Sequence, residues 1–150
     1  MADKNQEQDK VLPEPNPNTL PDWYLQTLVK VINNNDAELP ITLFIGGLVV
    51  SGFIVSGQKY FEGVGTQLMQ AFEEPDDTSK EFVKALTLPG DSYKKIKEDP
   101  EAPLPVYVHL REARIFTSGQ EPMPQEGAWW RGRLISVDGF HFGLLGVRKP

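Results

Sequence analysis

Cysteine is absent from the 150-residue sequence, and histidine occurs only twice. Without cysteine the chain can form no disulfide, thiolate nucleophile, Cys-ligated zinc site or iron–sulfur cluster. The first ten residues, MADKNQEQDK, are polar and charged, whereas a secretory signal needs an apolar core there. We therefore expect a protein that works in the reducing cytoplasm.

Recognisable catalytic patterns are missing as well. The serines lie in no nucleophile elbow, and the runs GGLVVSG and GVG lack the lysine and spacing of a phosphate-binding loop. His109 and His141 could share a metal with Asp138 or Glu112, but no local ligand spacing supports such a site. We predict no enzymatic activity, cofactor or metal, and keep an enzyme with an unrecognised His/carboxylate site as an alternative.

No apolar run is long enough for a typical membrane helix. The uncharged apolar stretch ITLFIGGLVVSGFIVSG, at 41–57, has 17 residues, four of them glycine, whereas a spanning helix needs about 20 apolar residues. Its first residues alternate in a strand-like pattern, and Gly46-Gly47 suits a two-residue hairpin turn. We predict antiparallel strands over 40–46 and 48–57, with a bend or bulge at Gly52.

Positive charge is scarce. The net charge is −6, although residues 104–150 carry six Lys/Arg against four Asp/Glu. Binding to nucleic acid needs cations that replace phosphate counterions, so an acidic chain is a poor candidate for it. The same composition predicts a soluble protein with no membrane partner.

Two main helices are predicted before the C-terminal strands. The proline- and acid-rich residues 1–18 indicate a disordered tail. Apolar residues at helical spacing predict helices over 20–34 and 59–73. Residues 74–103 form an acidic, partly irregular insertion, in which SKEFVKAL is a candidate short helix and LPGDSYKKIKEDPEAPLP a long surface segment.

The C-terminal part of the sequence is predicted to form strands. VYVHLREARIF, at 106–116, alternates well until its phase changes at Ala113. AWWRGRLISV and FHFGLLGV flank Asp138-Gly139, a strong hairpin signal, so we predict that they pair with each other.

Together these elements predict an α+β fold. It consists of a strongly bent antiparallel sheet or small partial barrel, of Sm-like or SH3-like character, with about five strands and two main helices packed on it. Residues 19–150 form one domain in this interpretation. Fold alone does not determine function, so an Sm-like oligomeric module that binds RNA or protein stays open as the first alternative, ahead of the enzyme.

The tryptophan pair is the strongest candidate for an interaction site. Adjacent strand residues face opposite sides, so one ring is expected in the core and the other near a surface beside alternating arginines. Exposed Trp flanked by Arg is the composition of interface hot spots, while a half-buried ring covered by an Arg stem is an equal alternative. The candidate interaction residues are Trp129, Trp130, Arg131, Arg133, Tyr107 and His109.

Three segments resemble the gas vesicle accessory protein U (GvpU) family. They are ITLFIGGLVVSGFIVSGQKYFE, VYVHLREARIF followed by TSGQEPMP, and WWRGRLISVDGFHFGLL, and the resemblance covers about residues 20–146. It implies a cytoplasmic, non-enzymatic accessory factor associated with gas vesicles, whose family members are linked to vesicle clustering through self-association. The implied partners are gas vesicle shell proteins, other accessory proteins and further copies of this chain, and the resemblance implies no catalytic residues.

Overall fold

The computed structural model of the protein describes residues 20–146. The tail predicted over residues 1–18 lies outside them. The elements, in chain order, are α1 (Trp23–Asn35), β1 (Leu39–Ile45), β2 (Leu48–Val55), α2 (Gly57–Gln70), α3 (Asp77–Thr87), α4 (Gly90–Ile96), β3 (Tyr107–Phe116), β4 (Met123–Arg133), a 3-10 turn (Leu134–Ser136) and β5 (Gly139–Phe142). None of the helices in the described part combines the length and apolar character needed to cross a bilayer.

All five strands join one antiparallel sheet in the order β4-β3-β2-β1-β5. The prediction of an α+β fold with a bent antiparallel sheet and packed helices is confirmed. The sheet is open, and β4 and β5 form its two edges. A closed barrel has no such edges, because every strand there pairs on both sides.

The first hairpin follows its sequence pattern. β1 pairs with β2 in register from Leu39 opposite Ile54 to Ile45 opposite Leu48, and the turn is at Gly46-Gly47. Gly46 has a φ of 58°, which glycine adopts without steric cost. The predicted irregularity at Gly52 is also present, as the register with β3 shifts there. A Cβ at this position would lie 2.9 Å from the Arg111 carbonyl oxygen.

The predicted second hairpin is wrong. β5 pairs with β1, so β4 and β5 lie at opposite edges of the sheet. Asp138 instead connects the segment that enters β5 to the first hairpin through two hydrogen bonds. Its backbone N–H donates to the Phe44 carbonyl at 2.8 Å, and its carboxylate accepts from the Gly46 N–H at 2.7 Å. The connection from β4 also buries Leu134, whose N–H donates to the Val106 carbonyl at 2.9 Å.

One face of the sheet packs against α1 to form the main core. Asp22 caps this helix by accepting a hydrogen bond from the Tyr24 N–H at 2.8 Å. The predicted change of phase in β3 is confirmed, because Glu112 has a φ of 51° and a bulge returns Ala113 to the core side. The core residues are Leu25, Val29, Ile32, Ile41, Leu43, Val50, Ile54, Val108, Leu110, Ala113 and Leu134.

Helices α2, α3 and α4 lie together, and α2 contacts β3 and β4. The short helix predicted from SKEFVKAL is confirmed as part of α3, which begins with a capping box between Asp76 and Ser79. The following segment was predicted to be a surface segment, but it contains α4. Tertiary packing explains the difference, since Gly90 lies against Phe61 and the Tyr93 ring is 6.0 Å from the Phe61 ring.

Candidate interaction surfaces

The two neighbouring strands β3 and β4 bring the six predicted residues together. Tyr107 lies opposite Arg133, His109 opposite Arg131, and Leu110 opposite Trp130. Because side chains alternate along a strand, Trp129 shares a face with Arg131, and Trp130 faces the core with Leu110. The expectation that the two tryptophans point to opposite sides is confirmed.

Both tryptophan rings are partly buried. Trp130 packs against the main core cluster. Trp129 packs against α2, where its ring is 6.4 Å from the Tyr60 ring in an edge-on arrangement. The indole occupies the space that a Cβ at Gly63 would need. This contact accounts for a glycine inside a helix, where it otherwise costs about 1 kcal/mol relative to alanine.

His109 is a core residue with 1% exposure. Its ring centroid lies 4.6 Å from that of Tyr60, 5.4 Å from Tyr93 and 6.0 Å from Phe61. Neither ring nitrogen has a hydrogen-bond partner among the described residues. Burial, with a smaller effect of the Arg131 charge, lowers the pKa of His109 from 6.5 to about 3. His109 is therefore a neutral aromatic member of the core and presents no side chain at the surface.

The possible metal site with two histidines does not form. His141 lies on β5, and β1 and β2 separate that strand from β3, which carries His109. Three strand spacings of about 4.8 Å alone put the two residues at least ~14 Å apart, too far to share an ion. Within residues 20–146, no group of three His, Asp or Glu side chains could hold a metal.

Arg131 and Arg133 differ in their surroundings. Arg133 is exposed. The Arg131 guanidinium carbon lies 3.6 Å from the Tyr107 ring centroid and 5.6 Å from that of Phe61. Arg131 also lines a cavity of about 470 Å³ between α1, α4 and the strands. Of the two alternating arginines that were expected near a surface, only Arg133 is therefore fully exposed to solvent.

A second surface was not predicted. Four aromatic residues, Trp23, Tyr24, Phe140 and Phe142, form a chain from α1 to β5, which we call the aromatic strip. The Trp23–Tyr24, Tyr24–Phe140 and Phe140–Phe142 ring centroids are 5.9, 6.0 and 5.8 Å apart. Trp23, Tyr24 and Phe142 are each 51% exposed. The strip follows the β5 edge, which has no strand partner on its outer side within the described chain.

Comparison with known proteins assigns the chain to a family. The family model for "Gas vesicle protein GvpU-like" matches residues 22–145. The chain belongs to this GvpU-like family. The match includes every helix and strand described above, from the start of α1 to the end of β5. The resemblance inferred from the sequence is thus confirmed, and the protein is a gas vesicle accessory protein. No curated protein and no solved structure matches the chain.

Proposed function

We propose that this GvpU-like protein is a non-enzymatic factor that clusters gas vesicles in the cytoplasm. It attaches to vesicle shell proteins and associates weakly with further copies of itself, without a cofactor, nucleic acid or membrane. The single observation that carries the self-association step is the aromatic strip beside the open β5 edge. The family membership supports the vesicle as its place of action.

The composition and position of the strip support a contact between copies. Tryptophan and tyrosine are enriched at the energetic centres of interfaces, because their rings bury a large area at a small entropic cost. An open strand edge offers unpaired backbone groups to a second strand. β5 has only four residues, so one such contact is small and weak. Many weak contacts between two crowded vesicle surfaces add up through avidity.

The salt dependence of self-association distinguishes two possible contacts between copies. Each copy carries a net charge of −6, so copies repel one another at low salt and screening favours a contact through the aromatic strip. A contact between Arg131 or Arg133 of one copy and the acidic residues 73–101 of another copy has the opposite dependence on salt. It weakens when salt screens the opposite charges. We propose the strip as the principal contact and the exposed Arg133 as a peripheral one.

Self-association of the purified protein tests this proposal. Sedimentation velocity or light scattering over a salt series compares the wild type with the double variant Trp23→Ser/Phe142→Ser. Phe82→Ser is the matched control, because Phe82 is 56% exposed on α3 and lies outside the strip. We expect the wild type and the control to associate more strongly as salt rises, and the double variant to associate less at every salt concentration.

Circular dichroism confirms that each variant is folded before it is compared. Equal association of the folded double variant and the wild type would remove the strip from the mechanism. Association that falls as salt rises, and that is lost in Arg133→Glu, would instead favour the arginine–acid contact. A wild type that stays monomeric at all salt concentrations and with vesicles present would refute self-association itself.

A further inference from the structure

A pocket beside Arg131 is the feature of this molecule that the clustering proposal leaves unused. We call it the Arg131 pocket. Its volume of about 470 Å³ lies within the range of about 300–1,000 Å³ typical of small-molecule sites. Its walls are largely apolar, because the chain between α4 and β3 is rich in proline. The apolar residues that this segment contributes to the wall include Pro100, Pro103, Leu104, Pro105 and Val106.

The guanidinium of Arg131 is held in place but lacks an anionic partner. It stacks on the Tyr107 ring at 3.6 Å, and no carboxylate of residues 20–146 lies within ion-pair distance of it. Arg111 shows the contrast, since its guanidinium binds Glu38 at 2.7 Å and Glu112 at 2.8 Å. A partly buried, stacked guanidinium with free N–H donors is a suitable site for an anion.

The other charges of the pocket agree with an anionic ligand. Lys30 adds a second positive charge. Asp99 is the single acidic residue of the lining, and its carboxylate accepts the Glu101 N–H at 3.0 Å. Tyr93 and Tyr107 add phenol groups to the wall. The pocket is therefore locally positive on a protein whose net charge is −6.

We propose that the Arg131 pocket binds a small organic carboxylate with a flat apolar body. The guanidinium fork matches the two oxygens of a carboxylate, and the proline and tyrosine walls cover the apolar part. A phosphate group carries more charge and is usually held by backbone N–H groups or several cations. The mostly apolar lining therefore favours a carboxylate of one negative charge.

Binding to the dilute, monomeric protein tests the proposal with defined probes. The charged probe is 1-naphthoate, and its neutral counterpart 1-naphthamide has the same rings without the charge. Titrations followed by calorimetry and by amide NMR are expected to show saturable binding of 1-naphthoate, at least about 10-fold tighter than that of the amide, with shifts near Tyr93 and Tyr107. Loss of a hydrogen bond to a charged group corresponds to roughly 10- to 100-fold in affinity, which is the expected effect of Arg131→Gln.

The control variant is Arg133→Gln, on the same strand but outside the pocket, and it is expected to bind as the wild type does. If Arg131→Gln does not fold, Val106→Glu replaces it. Val106 is 58% exposed at the rim, so a glutamate there repels the carboxylate, while Val106→Gln does not. Equal affinity for the two probes, unchanged binding after either charge change, or stronger competition by inorganic phosphate would overturn the assignment. None of these results depends on clustering, since the titrations use the monomer.

Discussion

Replacement of His109 by phenylalanine is expected to make the stability of the protein less sensitive to acid. The imidazole lies among the rings of Tyr60, Phe61 and Tyr93, and its nitrogens have no partner in the described part of the chain. Protonation there would place a charge in a desolvated site close to the Arg131 guanidinium. The native state therefore keeps the ring neutral, with a pKa of about 3.

The size of the effect follows from linkage. His109 has an ordinary pKa of 6.5 in the unfolded chain and about 3 in the folded one, so between these values only the unfolded chain takes up the proton. The contribution of the neutral ring is complete above pH 6.5 and is lost as the pH falls below that value. Each pH unit inside this window costs about 1.4 kcal/mol. Between pH 7.5 and 5.5 the wild type is thus expected to lose about 1.4 kcal/mol.

Urea unfolding at pH 7.5, 6.5 and 5.5 measures this difference directly, because the free energy of unfolding is linear in denaturant. The carboxyl groups whose pKa values are lowered in the native state, those of Asp36, Glu38 and Asp76, begin from ordinary values of 3.8, 4.5 and 3.8. Protonation of these carboxyl groups destabilises the fold only at lower pH, so the change in stability between pH 7.5 and 5.5 reports the protonation of histidine. His141→Gln is the matched control, since this second histidine is exposed.

We expect His109→Phe to lose less than about 0.5 kcal/mol over the same range, and His141→Gln to lose as much as the wild type. A wild type whose stability is constant from pH 7.5 to 5.5 would show that the imidazole does not stay neutral in a closed core. An unchanged acid sensitivity in folded His109→Phe would show that another group is responsible.

Two further substitutions test the packing and the ion pairs around the sheet. Gly63→Ala places a methyl group where the Trp129 indole lies. We therefore expect a loss of about 1–3 kcal/mol in the free energy of unfolding and a red shift of tryptophan fluorescence. An unchanged stability and spectrum would contradict the close packing. Burial opposes ionisation of Glu38, but hydrogen bonds from Arg111 and Lys59 outweigh it and lower its pKa. Glu38→Gln is therefore expected to cost about 1 kcal/mol at low salt and less at high salt, and a cost that does not change with salt would argue against the ion pairs.

Local sequence signals were sufficient for the first hairpin and for the irregularities of the sheet. Gly46-Gly47 predicted its turn because the residues on both sides alternate, and the phase change at Ala113 predicted the bulge in β3. These features depend on neighbours in the chain. Asp138-Gly139 led to the wrong prediction of a second hairpin for the same reason, since a local turn signal does not reveal that β5 pairs with β1.

The side-chain environments required tertiary information. Alternation placed Arg131 and Arg133 on one face of their strand, but it did not show that helices cover only part of that face or that His109 of β3 is buried there. The aromatic strip also depends on tertiary structure, because the Tyr24 ring contacts the Phe140 ring only when β5 lies at the edge beside β1. The family resemblance could be inferred from the residues, whereas the aromatic strip, which we propose as the interaction surface, could not.

We propose that the exposed aromatic residues of the strip bring gas vesicles together. The most direct measurement is the clustering of isolated gas vesicles, followed by light microscopy, after addition of wild type, Trp23→Ser/Phe142→Ser or Phe82→Ser protein. Sedimentation of the protein with the vesicles is recorded in the same samples, so that attachment is measured separately from clustering. We predict that the wild type and Phe82→Ser cluster the vesicles, and that the double variant attaches but leaves them dispersed. Equal clustering by the attached double variant would contradict the account.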